Sequence, residues 1–111
     1  MSFEPREYFR HILAEADYLI EHSRNLDLGA FRADETLRRA FVRSLEIIGE
    51  AAKSLPEPVR LKYPEIDWKR IAGLRDILIH EYFGVDAEIV WDIVENKLNT
   101  LEDVVQNILK E

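Results

Sequence analysis

The feature that most constrains this chain is the spacing of its apolar residues, which return at three- and four-residue steps from one end to the other. Phe9, Ile12, Leu13, Ala16, Leu19 and Ile20 form one stripe, and Leu37, Ala40, Phe41, Leu45, Ile48, Ala52 and Leu55 form a second. Ile71, Leu74 and Leu78 make a shorter third, and Val90, Ile93, Val94, Leu98, Leu101, Val105 and Ile108 a fourth. An α-helix turns once in 3.6 residues, so each set falls on one side of a helix that has to be buried against another. No strand-like alternation, internal repeat or low-complexity tract interrupts the pattern. The expectation is an all-α fold: a single domain over residues 1–111, built as an up-and-down bundle of four main helices with a shorter third. A chain of 111 residues buries enough surface to fold without covalent staples, with a further face to share with a partner.

Capping and breaking residues place the boundaries. Pro5 suits a first helical turn, with Ser2 or Glu4 upstream, and that helix is predicted to run to about Leu26. The segment Asp27-Leu28-Gly29-Ala30-Phe31 reads as a connection, Asp34 caps the second helix, and Pro56 stops it. Pro56, Pro58 and Pro64 make the next stretch irregular, with a short helical turn at Val59 to Lys62. Asp67 caps a third helix beginning at Trp68 and failing near His80 to Phe83, where Gly84 takes a left-handed conformation; Asp86 caps the fourth. Gly49 lies in mid-helix, where glycine costs about 1 kcal/mol relative to alanine, so it marks a close helix approach, within the monomer or across a dimer. Around it, Arg43, Glu46, Glu50 and Lys53 read equally as an exposed ladder of ion pairs.

Charge narrows the possible partners. The formal net charge is −7, which opposes phosphate binding unless positive groups cluster. They do: residues 1–31 carry −3 and residues 76–111 carry −7, but residues 32–75 carry +3. That middle segment holds Arg38, Arg39, Arg43, Lys69, Arg70 and Arg75, and all of these except Arg75 read equally as parts of a solvated helix face. Cysteine is absent, which excludes disulfides and thiolate metal sites and makes a reducing cytoplasm the natural setting. No signal-peptide core is present, and no apolar run approaches the roughly 20 residues a membrane span needs. No spacing resembles a metal constellation or a glycine-rich phosphate loop, so neither a metal nor another cofactor is expected.

Chemistry concentrates in Arg75-Asp76-Ile77-Leu78-Ile79-His80-Glu81-Tyr82. On a helix Arg75 and Tyr82 return to one face, whereas His80 is displaced to the side. A histidine titrating near neutrality can manage the proton of a ribose 2′-hydroxyl or a leaving 5′-oxygen. A planar guanidinium suits the charge that develops on a phosphoryl group in flight. His11 and His22 have no such company and read as ordinary first-helix residues.

The order Arg, four residues, His, one residue, Tyr resembles the signature of the HepT-like toxins of the HEPN superfamily. The likeness continues through Tyr82-Phe83-Gly84-Val85-Asp86 and Glu46-Ile47-Ile48-Gly49-Glu50-Ala51-Ala52 to nearly the whole chain. It implies a HEPN-like symmetric homodimer and a metal-independent endoribonuclease, the toxin of a type VII-like toxin-antitoxin system. By this resemblance Arg75 and His80 of two protomers meet in a composite site at the dimer cleft, and Asp76 supports them. A partner nucleotidyltransferase, the antitoxin, would silence the enzyme by transferring AMP to Tyr82. The alternative is a non-catalytic helical module that dimerises or holds such a nucleotidyltransferase. RNA cleavage lost on changing Arg75 or His80 selects the enzyme.

Overall fold

A computed structural model describes residues 4–80 and 87–111, and of Ile77, Ile79 and His80 the backbone alone. The described residues form seven helices: α1 Pro5–Ser23, α2 Leu28–Ala33, α3 Glu35–Ser54, α4 Glu57–Leu61, α5 Trp68–His80, α6 Ala87–Asn96 and α7 Leu98–Lys110. The Gly84 turn and the Asp86 cap, like Ser2, lie outside the described residues.

Local chemistry accounts for most boundaries. Pro5 opens α1 behind Glu4, whose side chain makes no capping bond. Asp34 Oδ1 accepts the Leu37 amide at 3.0 Å to start α3, and Asp67 Oδ1 accepts the Arg70 amide at 3.1 Å to start α5. α1 ends at Ser23, short of the expected Leu26, because Arg24 is extended and Asn25 turns left-handed at φ 61°. The segment read as a connection contains a helix, since Asp27 Oδ1 caps the Ala30 amide at 2.8 Å and Phe31 is drawn into the core. α4 begins at Glu57, ahead of the expected Val59, with Pro58 in its first turn where no amide is needed.

The four-helix reading needs a larger correction at the C-terminal side. The fourth stripe is carried by two helices that meet at Lys97, where φ is −116°. No proline or glycine causes the break. The bend lets α6 pack on α2 and α1 while α7 lies along α1. In cross-section α3 is flanked by α1 and α5, and α1 by α3 and α7. The remaining seam, between α5 and the α6–α7 pair, is a groove of about 500 Å³ instead of a packed helix contact.

Two aromatic groups fix the arrangement. Phe31, fully buried, lies between Phe41 and Trp91 with ring centroids 5.0 and 5.4 Å away, joining α2 to α3 and α6. Phe9 meets Trp68 edge-on at 6.0 Å, and the Trp68 indole N–H donates to the Tyr63 carbonyl at 2.9 Å. This second group anchors the start of α5 to α1. On the opposite flank, along α1 and α7, a hydrogen bond with Asp17 holds the Glu102 carboxyl up to about 7, with burial and the Asp17 and Asp103 charges adding to it.

Candidate active site

Arg75 stands two turns into α5, where that helix packs tightly against Gly49 of α3. A Cβ on Gly49 would lie 2.9 Å from the Arg75 amide nitrogen, 3.1 Å from the Ile71 carbonyl oxygen and 3.2 Å from the Arg75 Cβ. The glycine singled out as a close approach therefore makes it within the monomer, and its partner is the backbone of the signature arginine. Alanine at this position would meet main chain, which cannot swing aside as a side-chain tip can.

The guanidinium is half-buried, with 37% of the side chain exposed. Its Nη1 is 3.9 Å from the Asp76 carboxylate, too far for a hydrogen bond, so Asp76 acts on it through charge alone. Adjacent helical residues do not face each other, which explains the long separation. Arg75 is thus held by its backbone while its charged end stays accessible.

α5 remains helical through His80. With roughly 100° per residue, backbone positions 75 and 80 lie about 140° apart around the helix axis. The displacement expected from the spacing therefore holds as far as His80. Tyr82 lies outside the described residues.

One turn beyond Arg75 the buried side chain of Leu78 enters the wall of a cleft of about 590 Å³. Arg38, Arg39 and Arg43 of α3 line it, together with Phe31 and Val42, and α6 contributes Ala87 and Val90. Three of the arginines noted in the middle segment are thereby gathered beside the C-terminal end of α5, whereas Arg70 lines the separate groove on the α6–α7 side. Of the expected ion-pair ladder the described residues show the Arg43–Glu46 pair, at 3.4 Å; outside that ladder, Arg39 reaches Glu35 at 2.8 Å. Arg38 donates to the Arg32 carbonyl and makes no ion pair among the described residues. His22 plays the ordinary role expected of it, its Nδ1 donating to the Tyr18 carbonyl at 2.9 Å.

Sequence reasoning missed the cleft's apolar lining because Phe31 was read as part of a connection. The available signal was Asp27 three residues before Ala30, followed by Leu28 and Phe31 at helical spacing.

Comparison with known proteins agrees with the motif. The chain is 50% identical over 107 residues to a protein of Caldanaerobacter subterraneus subsp. tengcongensis named "Putative RNase", with 96% of each chain covered. It is 42% identical over 106 residues to a Methanocaldococcus jannaschii protein of the same description, covering 96% of this chain and 88% of the relative. A "Probable ribonuclease HepT" of Thermococcus cleftensis is 34% identical over 110 residues, covering 99% of this chain and all of the relative. No solved structure shows significant similarity. The family described as Ribonuclease HepT-like matches residues 12–108, and with relatives this similar along their whole length the chain belongs to that family.

Proposed function

We propose that this protein is a metal-independent endoribonuclease and the toxin of a type VII-like toxin-antitoxin pair. It acts as a symmetric homodimer in which Arg75 and His80 of two protomers share one cleft. The observation that carries this reading is the seating of Arg75 on Gly49, which fixes the cation's backbone while leaving its guanidinium accessible and, among the described residues, without a hydrogen-bonded carboxylate. A cation held in this way can stabilise charge developing on a phosphoryl group without reorganising. The helical geometry of α5 supports assembly across two chains, because positions 75 and 80 of one helix point about 140° apart and a two-fold axis can bring one helix's arginine face to the other's histidine face.

In the cleavage step His80 takes the proton of the ribose 2′-hydroxyl, whose oxygen attacks the adjacent phosphorus; the bond to the 5′-oxygen breaks and that oxygen receives a proton, from the second protomer's histidine. Arg75 bears on the non-bridging oxygens as their charge grows. A partner nucleotidyltransferase would transfer AMP from ATP to Tyr82, the deprotonated phenolic oxygen bonding the α-phosphorus as pyrophosphate leaves, and so add an anion two residues from His80. It would compete for the same guanidinium and switch the enzyme off.

RNA cleavage by purified protein in chelator tests the reading. Arg75→Ala and His80→Ala should each abolish cleavage while remaining folded dimers, and full activity in either folded variant contradicts the assignment. Incubation with the nucleotidyltransferase, ATP and magnesium should add AMP to Tyr82 and suppress cleavage. Peptide mapping that places AMP on Tyr8, Tyr18 or Tyr63 instead removes the switch.

A further inference from the structure

The cleft beside Leu78 has a composition that catalysis at Arg75 does not account for. Arg39 and Arg43 stand one turn apart on α3, about 6 Å along the axis, and Arg38 lies beside them. Such a spacing is close to that of successive phosphates along an extended strand. Among the described residues, two of the three guanidiniums are tied to Glu35 and Glu46 alone, in pairs whose arginines are mostly exposed, at 81% and 66%. Ion pairs of this kind contribute little and exchange readily for another anion. Beneath them Val42, Leu78 and Val90 supply an apolar floor. The arginines belong to residues 32–75, the positive stretch of a chain whose flanks are both negative.

We propose that this cleft binds the single-stranded RNA flanking the scissile linkage. Arg39 and Arg43 give up their carboxylate partners for two successive phosphates, Arg38 contacts a phosphate alongside, and a base lies over the apolar floor. The inference rests on the ribonuclease reading for the choice of RNA, and on the cleft's own charge and shape for the binding. Phosphate contacts of this type are independent of sequence, so they position the strand without selecting the cut. They also concentrate RNA at one end of α5 on a protein that otherwise repels it.

The test uses a fluorescent 2′-O-methyl RNA of about a dozen nucleotides, whose blocked 2′-oxygens prevent cleavage, and reads anisotropy across a potassium chloride series. Each phosphate contact adds about 0.7 to the slope of log affinity against log salt for a single strand. Arg38→Gln/Arg43→Gln should therefore lower the slope by about 1.4 and weaken binding at least tenfold at low salt. Arg10→Gln/Arg24→Gln, which removes the same charge from the α1 side, should leave both unchanged. Equal binding and slope in the wild type and the cleft variant overturn the inference, as does an equal loss in the α1 control. Loss of nucleotidyltransferase binding by the cleft variant, with RNA binding intact, would assign the cleft to a protein partner and also overturn it. Because binding is read without cleavage, a wild type that binds RNA through these arginines yet never cuts it would sink the ribonuclease reading and leave the cleft standing.

Discussion

Replacing Gly49 by alanine sets two known effects against each other. In a helix interior the change gains about 1 kcal/mol of intrinsic propensity. Against this, the added methyl would sit 2.9 Å from the Arg75 nitrogen and 3.1 Å from the Ile71 carbonyl, where comfortable contact begins near 3.4 Å. α5 must withdraw by about 0.5 Å, and overpacking of this sort costs about 1–3 kcal/mol. The expected net result is a loss of about 1 kcal/mol, seen as a fall of about 4 °C in Tm at fixed protein concentration. Gly73→Ala supplies the comparison, since among the described residues a Cβ there meets nothing within 4 Å and only the propensity gain applies. Gly49→Ala should also lower RNA cleavage more than its stability loss explains, because the displaced backbone carries Arg75. Thermal melts that show Gly49→Ala stabilised as much as Gly73→Ala would refute the reasoning whatever the activity, since α5 could not then be seated where Gly49 places it.

Three further outcomes follow from the packing and charge. The raised Glu102 carboxyl binds its proton more tightly in the folded state than in the unfolded chain, so its contribution is complete below about pH 4.5 and declines as pH rises through about 7. Tm should therefore fall more across pH 5–8 in the wild type than in Glu102→Gln, and identical pH profiles would contradict the shared proton. Phe31→Ala should cost about 3–5 kcal/mol in urea unfolding, because the ring is fully buried between Phe41 and Trp91. Asp34→Ala should lose about 1 kcal/mol by freeing the Leu37 amide, and Asp34→Asn should recover most of it.

The parts of this fold that were legible in the sequence are those decided by neighbours along the chain. Asp34, Asp67 and the prolines set the starts of α3, α5 and α4 through hydrogen bonds and missing amides within a few residues. The break at Lys97 was not legible, because the apolar stripe runs through it unbroken and the bend answers to the separate docking of α6 and α7. α2 was hidden by its shortness and by Gly29, and it is held by Phe31 in the core more than by propensity. The same distinction applies to the site. Arg75 and Asp76 are neighbours in the motif, but the cleft joins residues 31–46 with Leu78 and residues 87–90, a juxtaposition set by tertiary packing. Gly49 is intermediate: its position announced a close approach, and only the fold identified Arg75 as what it approaches.

The aromatic anchor at Trp68 has a mechanical consequence. α5 is fastened at its first residue by the Phe9 ring and the Tyr63 carbonyl, rests on Gly49 at Arg75, and borders open space on the α6–α7 side. It is a beam with a hinge at one end and a bearing at the seventh residue on. From Trp68 to Arg75 the arm is about 10 Å, so a tilt of about 5° carries the arginine backbone about 1 Å. A displacement of that size is enough to cost about a hundredfold in rate when a catalytic group depends on its placement. With Arg75 as the proposed catalytic cation, its placement is thus set in part at Trp68, a buried tryptophan two turns away.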